Sequence, residues 1–220
     1  MFKTETHMHT LEGSICGRLS AEEMVQAYHD AGFQTIFVSN HFGTQFFERF
    51  GEMNWDETME RFMLGYRKAK AAGDQIGMNV LFSAEIEFDQ FKGLHYLVYG
   101  IDLEFLKAHP YLHKMSVEDF YRIAKKQGIL FVQAHPYRDQ NQIVTPQWVD
   151  GFEVCNPNPR HISNDDHAEQ TAAEYGLYRT AGSDAHRPED IGRTAMLSET
   201  EIKTTEDFIA LVKSRKVAFL

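Results

Sequence analysis

Phe2-Lys3-Thr4-Glu5-Thr6-His7, then Ser20-Ala21-Glu22-Glu23 running on to Gly32, then Thr35-Ile36-Phe37-Val38-Ser39: this opening stretch decides the fold. The first segment reads as a strand. Ser20 with Glu23 three residues on is a capping box that starts a helix, Gly32 is its stop, and the β-branched run after it is a second strand. One βαβ unit is thus complete within the first forty residues or so. Working outward, a long helix is expected from about Trp55 to Ala72, a strand over Asn79 to Glu87 and a short strand over Tyr96 to Tyr99. Ser116 with Asp119 caps a helix running to Gln127, and Ile129 to Ala134, Phe152 to Cys155 and Leu177 to Ala181 read as strands. Between them lie a segment started by Pro146 and a helix from about Asp165 to Tyr175. A last helix, about Thr205 to Arg215, precedes the apolar end Val217 to Leu220. Alternation of this kind predicts parallel βα units. Seven or eight of them in 220 residues suggest an irregular barrel, because a regular eight-unit barrel needs about 250 residues. An open doubly wound sheet is the alternative.

Composition narrows the function classes. With 17 Phe, 9 Tyr, 2 Trp and 43% hydrophobic residues the chain has ample material for a buried core. Its 22 basic and 32 acidic residues leave a net charge of −10, which disfavours nucleic acid and anionic membranes as partners while leaving room for a small anionic substrate at a locally positive site. No apolar run approaches the roughly 20 residues that cross a bilayer, and Met1 to Thr6 lack the regions of a signal peptide, so a cytoplasmic protein is expected. Cys16 and Cys155 are far apart and lack a CxxC partner, and are read as small buried side chains dispensable for catalysis.

The 11 histidines are the unusual count, and their positions matter. His7 and His9 leave the first strand, His41 the second and His135 a later one; Glu85 lies in the Asn79 to Glu87 strand, and Asp184 with His186 follows the strand ending at Ala181. In a βα barrel the C-terminal ends of the strands share one face, so these residues would converge there. His29, His109, His113, His161 and His167 lie in helices or loops and are read as surface or satisfied side chains. Imidazole and carboxylate ligands without thiolates suit catalytic zinc, manganese or iron. The i, i+2 spacing of His7 and His9 puts both imidazoles on one side of an extended strand, and Asp184 and His186 repeat it. Glu85 could bridge two ions, and such a pair performs hydrolysis without a serine or cysteine nucleophile.

Six stretches carry a resemblance over essentially the whole chain: His7-Met8-His9-Thr10, Val38-Ser39-Asn40-His41, Ala84-Glu85-Ile86-Glu87, His95-Tyr96-Leu97-Val98-Tyr99-Gly100, Gln133-Ala134-His135-Pro136 and Gly182-Ser183-Asp184-Ala185-His186. In order and spacing they resemble the polymerase and histidinol phosphatase (PHP) family of metal-dependent phosphoesterases. That resemblance implies one PHP-type catalytic domain over residues 1–220, folded as a distorted (β/α)7 TIM-like barrel with a site for two or three divalent transition-metal ions. Carried over residue by residue, His7, His9, Glu85 and Asp184 would hold one ion. Glu85 would bridge to a second, held by His95 and His135, and His41 with His186 would hold the third. The chain departs from the pattern after the HxHT segment, where relatives have an Asp or His. Glu12 is the carboxylate nearest that place and is assigned to the third ion. Asn40 likewise stands where an Asp is frequent.

A phosphate needs positive charge beyond the metals, and the guanidinium fork supplies it. Arg160, directly after Asn156-Pro157-Asn158-Pro159, is the first choice and Arg193 the second, with Arg18 and Arg138 also in nearby loops. The expected activity is hydrolysis of a small phosphomonoester, histidinol-phosphatase-like, by a metal-bridging hydroxide, with Glu85, Asp184, His186, Arg160 and Arg193 as the catalytic set. An amidohydrolase-type hydrolase of another bond and a non-catalytic metal-containing regulatory domain are the alternatives. The sequence leaves the substrate and the oligomeric state open.

Overall fold

The first βα unit folds as expected: β1 (Phe2–Met8), α1 (Ala21–Asp30) and β2 (Thr35–Val38). In this computed structural model, which describes residues 1–50, 53–141 and 143–220, the chain continues through β3 (His41–Phe42), α2 (Thr44–Phe50), α3 (Trp55–Phe62), α4 (Leu64–Ile76), β4 (Asn79–Glu87), β5 (His95–Tyr99), α5 (Leu103–Ala108), α6 (Val117–Gln127), β6 (Leu130–Gln133), β7 (Gly151–Cys155), α7 (Asp165–Tyr175), β8 (Tyr178–Ala181), β9 (Met196–Ser198), α8 (Thr205–Lys213) and β10 (Ala218–Phe219). Ser20 caps α1 in the expected box with Glu23, Ser116 caps α6, and Gly128 and Gly176 close α6 and α7 in the left-handed conformation. The long helix expected over Trp55 to Ala72 is instead two helices that meet at Met63.

The strands run β1-β2-β4-β5-β6-β7-β8 around a barrel, β3 pairs with β4, and β9 and β10 extend the sheet from β1. All neighbouring ring strands are parallel except β5, which is antiparallel to both β4 and β6. The ring is nearly closed by the segment after β8. His9 N donates to Ala185 O at 2.9 Å and Ala185 N to His7 O at 3.2 Å, making a parallel bridge between Met8 and Ala185. That contact rules out the open doubly wound sheet. Gly182 is required there, since a Cβ on it would stand 2.5 Å from His7 Cβ and 2.7 Å from Glu153 Oε1.

Both faces of the strands are buried, so β2 and β6 are buried at every residue, with Thr35 and Gln133 the polar members of otherwise apolar runs. Outward side chains such as Ile36 and Val38 pack under α1 and α4, and Tyr96, Val98 and Phe131 pack under α6 and its neighbours. Inward ones, including Phe37, Leu97, Tyr99 and Val132, meet Phe208 and Val212 of α8 at one end of the barrel. The opposite end, where the parallel strands finish, carries the polar residues.

Candidate metal centre

Glu85 stands near the end of β4, fully buried, with five imidazoles around its carboxylate. Oε1 is 3.3 Å from His7 Nε2 and 3.1 Å from both His95 Nδ1 and His135 Nε2, and Oε2 is 2.7 Å from His41 Nδ1 and 3.4 Å from His9 Nε2. Asp184, just past β8, puts Oδ1 3.3 Å from His7 Nε2, 3.0 Å from His9 Nε2 and 3.5 Å from His186 Nδ1. His7, His9, His41, Glu85, His95, His135, Asp184 and His186 are therefore one cluster. His95 arrives by a different route from the others. Because β5 runs backwards, its first residue lies at the face where the parallel strands end.

Hydrogen bonds fix which imidazole nitrogens face inward. Thr10 N–H donates to Asn40 Oδ1 at 2.8 Å, so that oxygen accepts; the Ser14 hydroxyl donates to it at 3.1 Å and in turn accepts from His9 Nδ1 at 3.0 Å. His7 Nδ1–H donates to Glu153 Oε1 at 2.9 Å, and His186 Nδ1–H to the Asp184 carbonyl at 2.8 Å. In the neutral form of each ring, Nε2 of His7, His9 and His186 presents a lone pair to the centre. Lone pairs aimed at carboxylate oxygens repel them, and the buried atoms His7 Nε2, Glu85 Oε2, His95 Nδ1 and His186 Nε2 make no hydrogen bond. A native core does not leave several polar atoms unsatisfied in one place without cause. A cation between them supplies what each lacks, and the residues fit one. Three groups, His7-His9-Glu85-Asp184, His41-Glu85-His95 and His9-His41-His186, each bring ligand atoms within 4.8 Å of one another.

The electrostatics agree. Burial alone would raise the Glu85 carboxyl, but His95, His41, His7 and His135 hold it well below the usual range. Burial acts the same way on Asp184, and Arg138, His7 and His9 override it. Burial disfavours the His7 imidazolium, yet Glu153, Asp184 and Glu85 raise its pKa well above the ordinary value, so these carboxylates favour a positive charge here, which a metal ion would supply in place of the ring proton. His135, buried and beside Arg138, is lowered to about 3 and stays neutral. His135 and Asp184 also hold left-handed backbones, φ 31° and 51°, the kind of strain that accumulates at working sites.

Two buried carboxylates beneath the cluster were not found by sequence reasoning. Glu153 orients His7, accepts from His135 N–H at 3.0 Å and takes the Asn156 amide at 2.7 Å. Glu5 accepts from His7 N–H and Ser183 N–H on one oxygen and from the Tyr28 and Ser183 hydroxyls on the other, tying β1 to the turn after β8. Period-2 alternation on strands was the available signal for both.

Several other expectations change. Glu12 is not in the cluster. Its carboxylate accepts from Ala21 N–H at 3.0 Å at the start of α1 and pairs with Lys68 at 3.1 Å. Cys16 is not a buried side chain; it is exposed in the loop beside the centre. Desolvation opposes its ionisation, and interactions with His186 and His41 bring the thiol down to about 6. Arg193 is exposed and donates to the Glu189 carbonyl, away from the cavity. That cavity, of about 300 Å³, opens over His41, His95 and His186, and Arg138, Arg160 and Arg187 line it. Arg160 is held by Asp190 through two hydrogen bonds of 2.5 and 2.8 Å, and Arg138 reaches Asp184 Oδ2 at 2.5 Å. His161, read as a surface residue, lines the same cavity.

Residues 163–217 match the family described as PHP-associated. No curated protein matches the chain significantly. Among solved structures, the whole chain superposes on 64% of a two-domain protein from Bacteroides vulgatus containing a predicted PHP-like metal-dependent phosphoesterase, at 18% identity and a TM-score of 0.69. It thus spans less than two thirds of that protein. An amidohydrolase from Chromobacterium violaceum, with bound sulfate and no metal, matches 98% of the chain over 97% of its own length at 16% identity and a TM-score of 0.60. A lesion-specific endonuclease from Pyrococcus furiosus matches 97% of the chain over 56% of its own length, at 13% identity and a TM-score of 0.60.

Proposed function

We propose that this chain, whose barrel is that of the PHP-like proteins and whose C-terminal quarter matches the PHP-associated family, is a metal-dependent phosphoesterase acting on a small phosphomonoester. The observation that carries the metal dependence is the set of buried Nε2 and carboxylate atoms left without hydrogen bonds around Glu85. His7, His9, Glu85 and Asp184 would hold one divalent ion, and Glu85 with His95 and His135 a second. Zinc, manganese and iron all suit such ligands. Bound there, the ions supply Lewis acidity and activate water for attack on phosphorus.

The chain's own residues do the rest. Arg138, Arg160 and Arg187 face the cavity above the ligands, where a phosphoryl group meets guanidinium forks that match its oxygens. Asp190 keeps Arg160 extended toward the cavity, so little side-chain freedom is lost when substrate binds. Arg138 bonds both Asp184 and Asn156, and so ties the phosphate-facing charge to a ligand. His161 adds a donor at the rim. Cations on this wall favour a phosphate ester over the neutral amide of an amidohydrolase-type reaction. The net charge of −10 and the small cavity favour a metabolite over a nucleic acid.

The test is turnover of a chromogenic phosphomonoester and of the matching diester by protein loaded with manganese, iron or zinc and by chelator-treated protein. Faster metal-dependent release from the monoester is expected. Release from neither ester by the loaded protein would overturn the reading, and preferential release from the diester would reassign the substrate class.

A further inference from the structure

We propose that the third metal position of this chain, at His41 and His186, is completed by the thiolate of Cys16. The proposal rests on the metal-centre reading above and concerns a residue assigned no role there. The ligand nitrogens of His41 and His186 come within 4.8 Å of one another and of His9, which the first ion takes, and the two that are left bring no negative charge. The loop between Thr10 and Arg18 borders this position, and Glu12, Ser14 and Cys16 are its candidate ligands. Glu12 is committed to the start of α1 and to Lys68. Ser14 is committed to His9, Asn40 and the His41 amide. Cys16 remains; its Sγ is not within 4.8 Å of all three of the His9, His41 and His186 nitrogens, but it lines the cavity wall with His41 and His186, and ligation requires its exposed side chain to turn toward them.

The loop is built to hold it there. Ser14 ties one side to His9 and His41, and Arg18 N–H donates to the His186 carbonyl at 2.9 Å on the other. Gly17 lets the turn close, since a Cβ on it would stand 2.7 Å from the Thr10 carbonyl oxygen. A second observation is independent of the cysteine. His186 is nine-tenths buried, its Nδ1 proton is given to the Asp184 carbonyl, and its Nε2 makes no hydrogen bond. A thiolate ligand would turn this position toward zinc, cobalt and iron and away from manganese and magnesium, and its thiol proton would be released on binding.

Cobalt(II) reconstitution tests this with a spectroscopic signature. The visible ligand-field bands report any His and carboxylate site, whereas a near-ultraviolet thiolate-to-cobalt charge-transfer band reports sulfur. Both are expected in the unmodified protein and in Cys155→Ser. Cys16→Ser and Cys16→Asp should lose the charge-transfer band, and Cys16→Asp should keep the cobalt content of the unmodified protein. Ligand-field bands with no charge-transfer band, or a charge-transfer band that survives Cys16→Ser, would overturn the proposal while leaving the metal centre standing. No visible bands in the unmodified protein would overturn the centre and this proposal together.

Discussion

Glu85 offers two oxygens to five imidazoles, a ratio that makes sense around cations. Glu85→Gln keeps the volume and removes the charge, so metal content and kcat are expected to fall together; elemental analysis beside the phosphoester assay checks this, and a variant with full metal and full activity would refute the assignment. Glu153 touches no ion in this scheme but fixes the His7 tautomer. Glu153→Gln is expected to weaken metal affinity by roughly 10–100-fold, the cost of disturbing a group that orients a ligand, as measured by competition with a chromophoric chelator. Arg160→Ala should leave metal content unchanged and lower kcat/KM by roughly 10–1000-fold, about 1.4–4 kcal/mol for a charge-assisted contact. Arg193→Ala, off the cavity, should change neither. Most of the cluster was legible because one rule, polar residues at strand ends of a barrel, finds His7, His41, His135 and Asp184 together. His95 escaped that rule because it begins a reversed strand, and it entered only through the family resemblance. Glu12 was chosen as the nearest carboxylate in sequence, but the loop turns its side chain toward α1.

Among the elements, α8 closes the lower end of the barrel with Phe208, whose ring lies 4.8 Å from those of both Phe37 and Tyr99. Phe208→Ala is expected to cost about 3–5 kcal/mol in denaturant unfolding while leaving the ligand geometry at the other end in place. The short helical turn after α5 carries His113, buried and stacked on Phe47 at 4.5 Å. Burial lowers its pKa from 6.5 to about 4, so it folds neutral, and the unfolded chain takes up the proton first on acidification. Its share of the stability is full above about pH 6.5 and is lost as the pH falls toward 4, by at most roughly 3 kcal/mol. In metal-free protein, His113→Phe should flatten the decline in stability between pH 7 and 5 relative to the unmodified chain. An unchanged slope would contradict the assignment. Capping boxes and glycine stops made α1, α6 and α7 readable to within a residue or two. The break at Met63 is marked only by Gly65 two residues on, and a single glycine inside a helical pattern does not by itself end a helix; β9 and β10 are too short for alternation to register. Tertiary pairing, of β9 with β1 and of β10 with β9, makes those strands.

Over the whole molecule, seven ring strands turn one end into an apolar plug and the other into a largely buried nest of histidines and carboxylates, and the chain's acidic balance is offset locally by three cavity arginines. The alternating pattern gave the barrel class, whereas its closure depended on a backbone bridge between Met8 and Ala185 that no side-chain pattern encodes. No helix among the described residues is long and apolar enough to cross a membrane. Everything functional in this account depends on ions filling the nest. The direct measurement is the metal content of the purified chain, after reconstitution with zinc, manganese or iron and removal of loosely bound ions, by elemental analysis against protein concentration. At least two ions per chain are expected, and fewer than two would contradict the central claim.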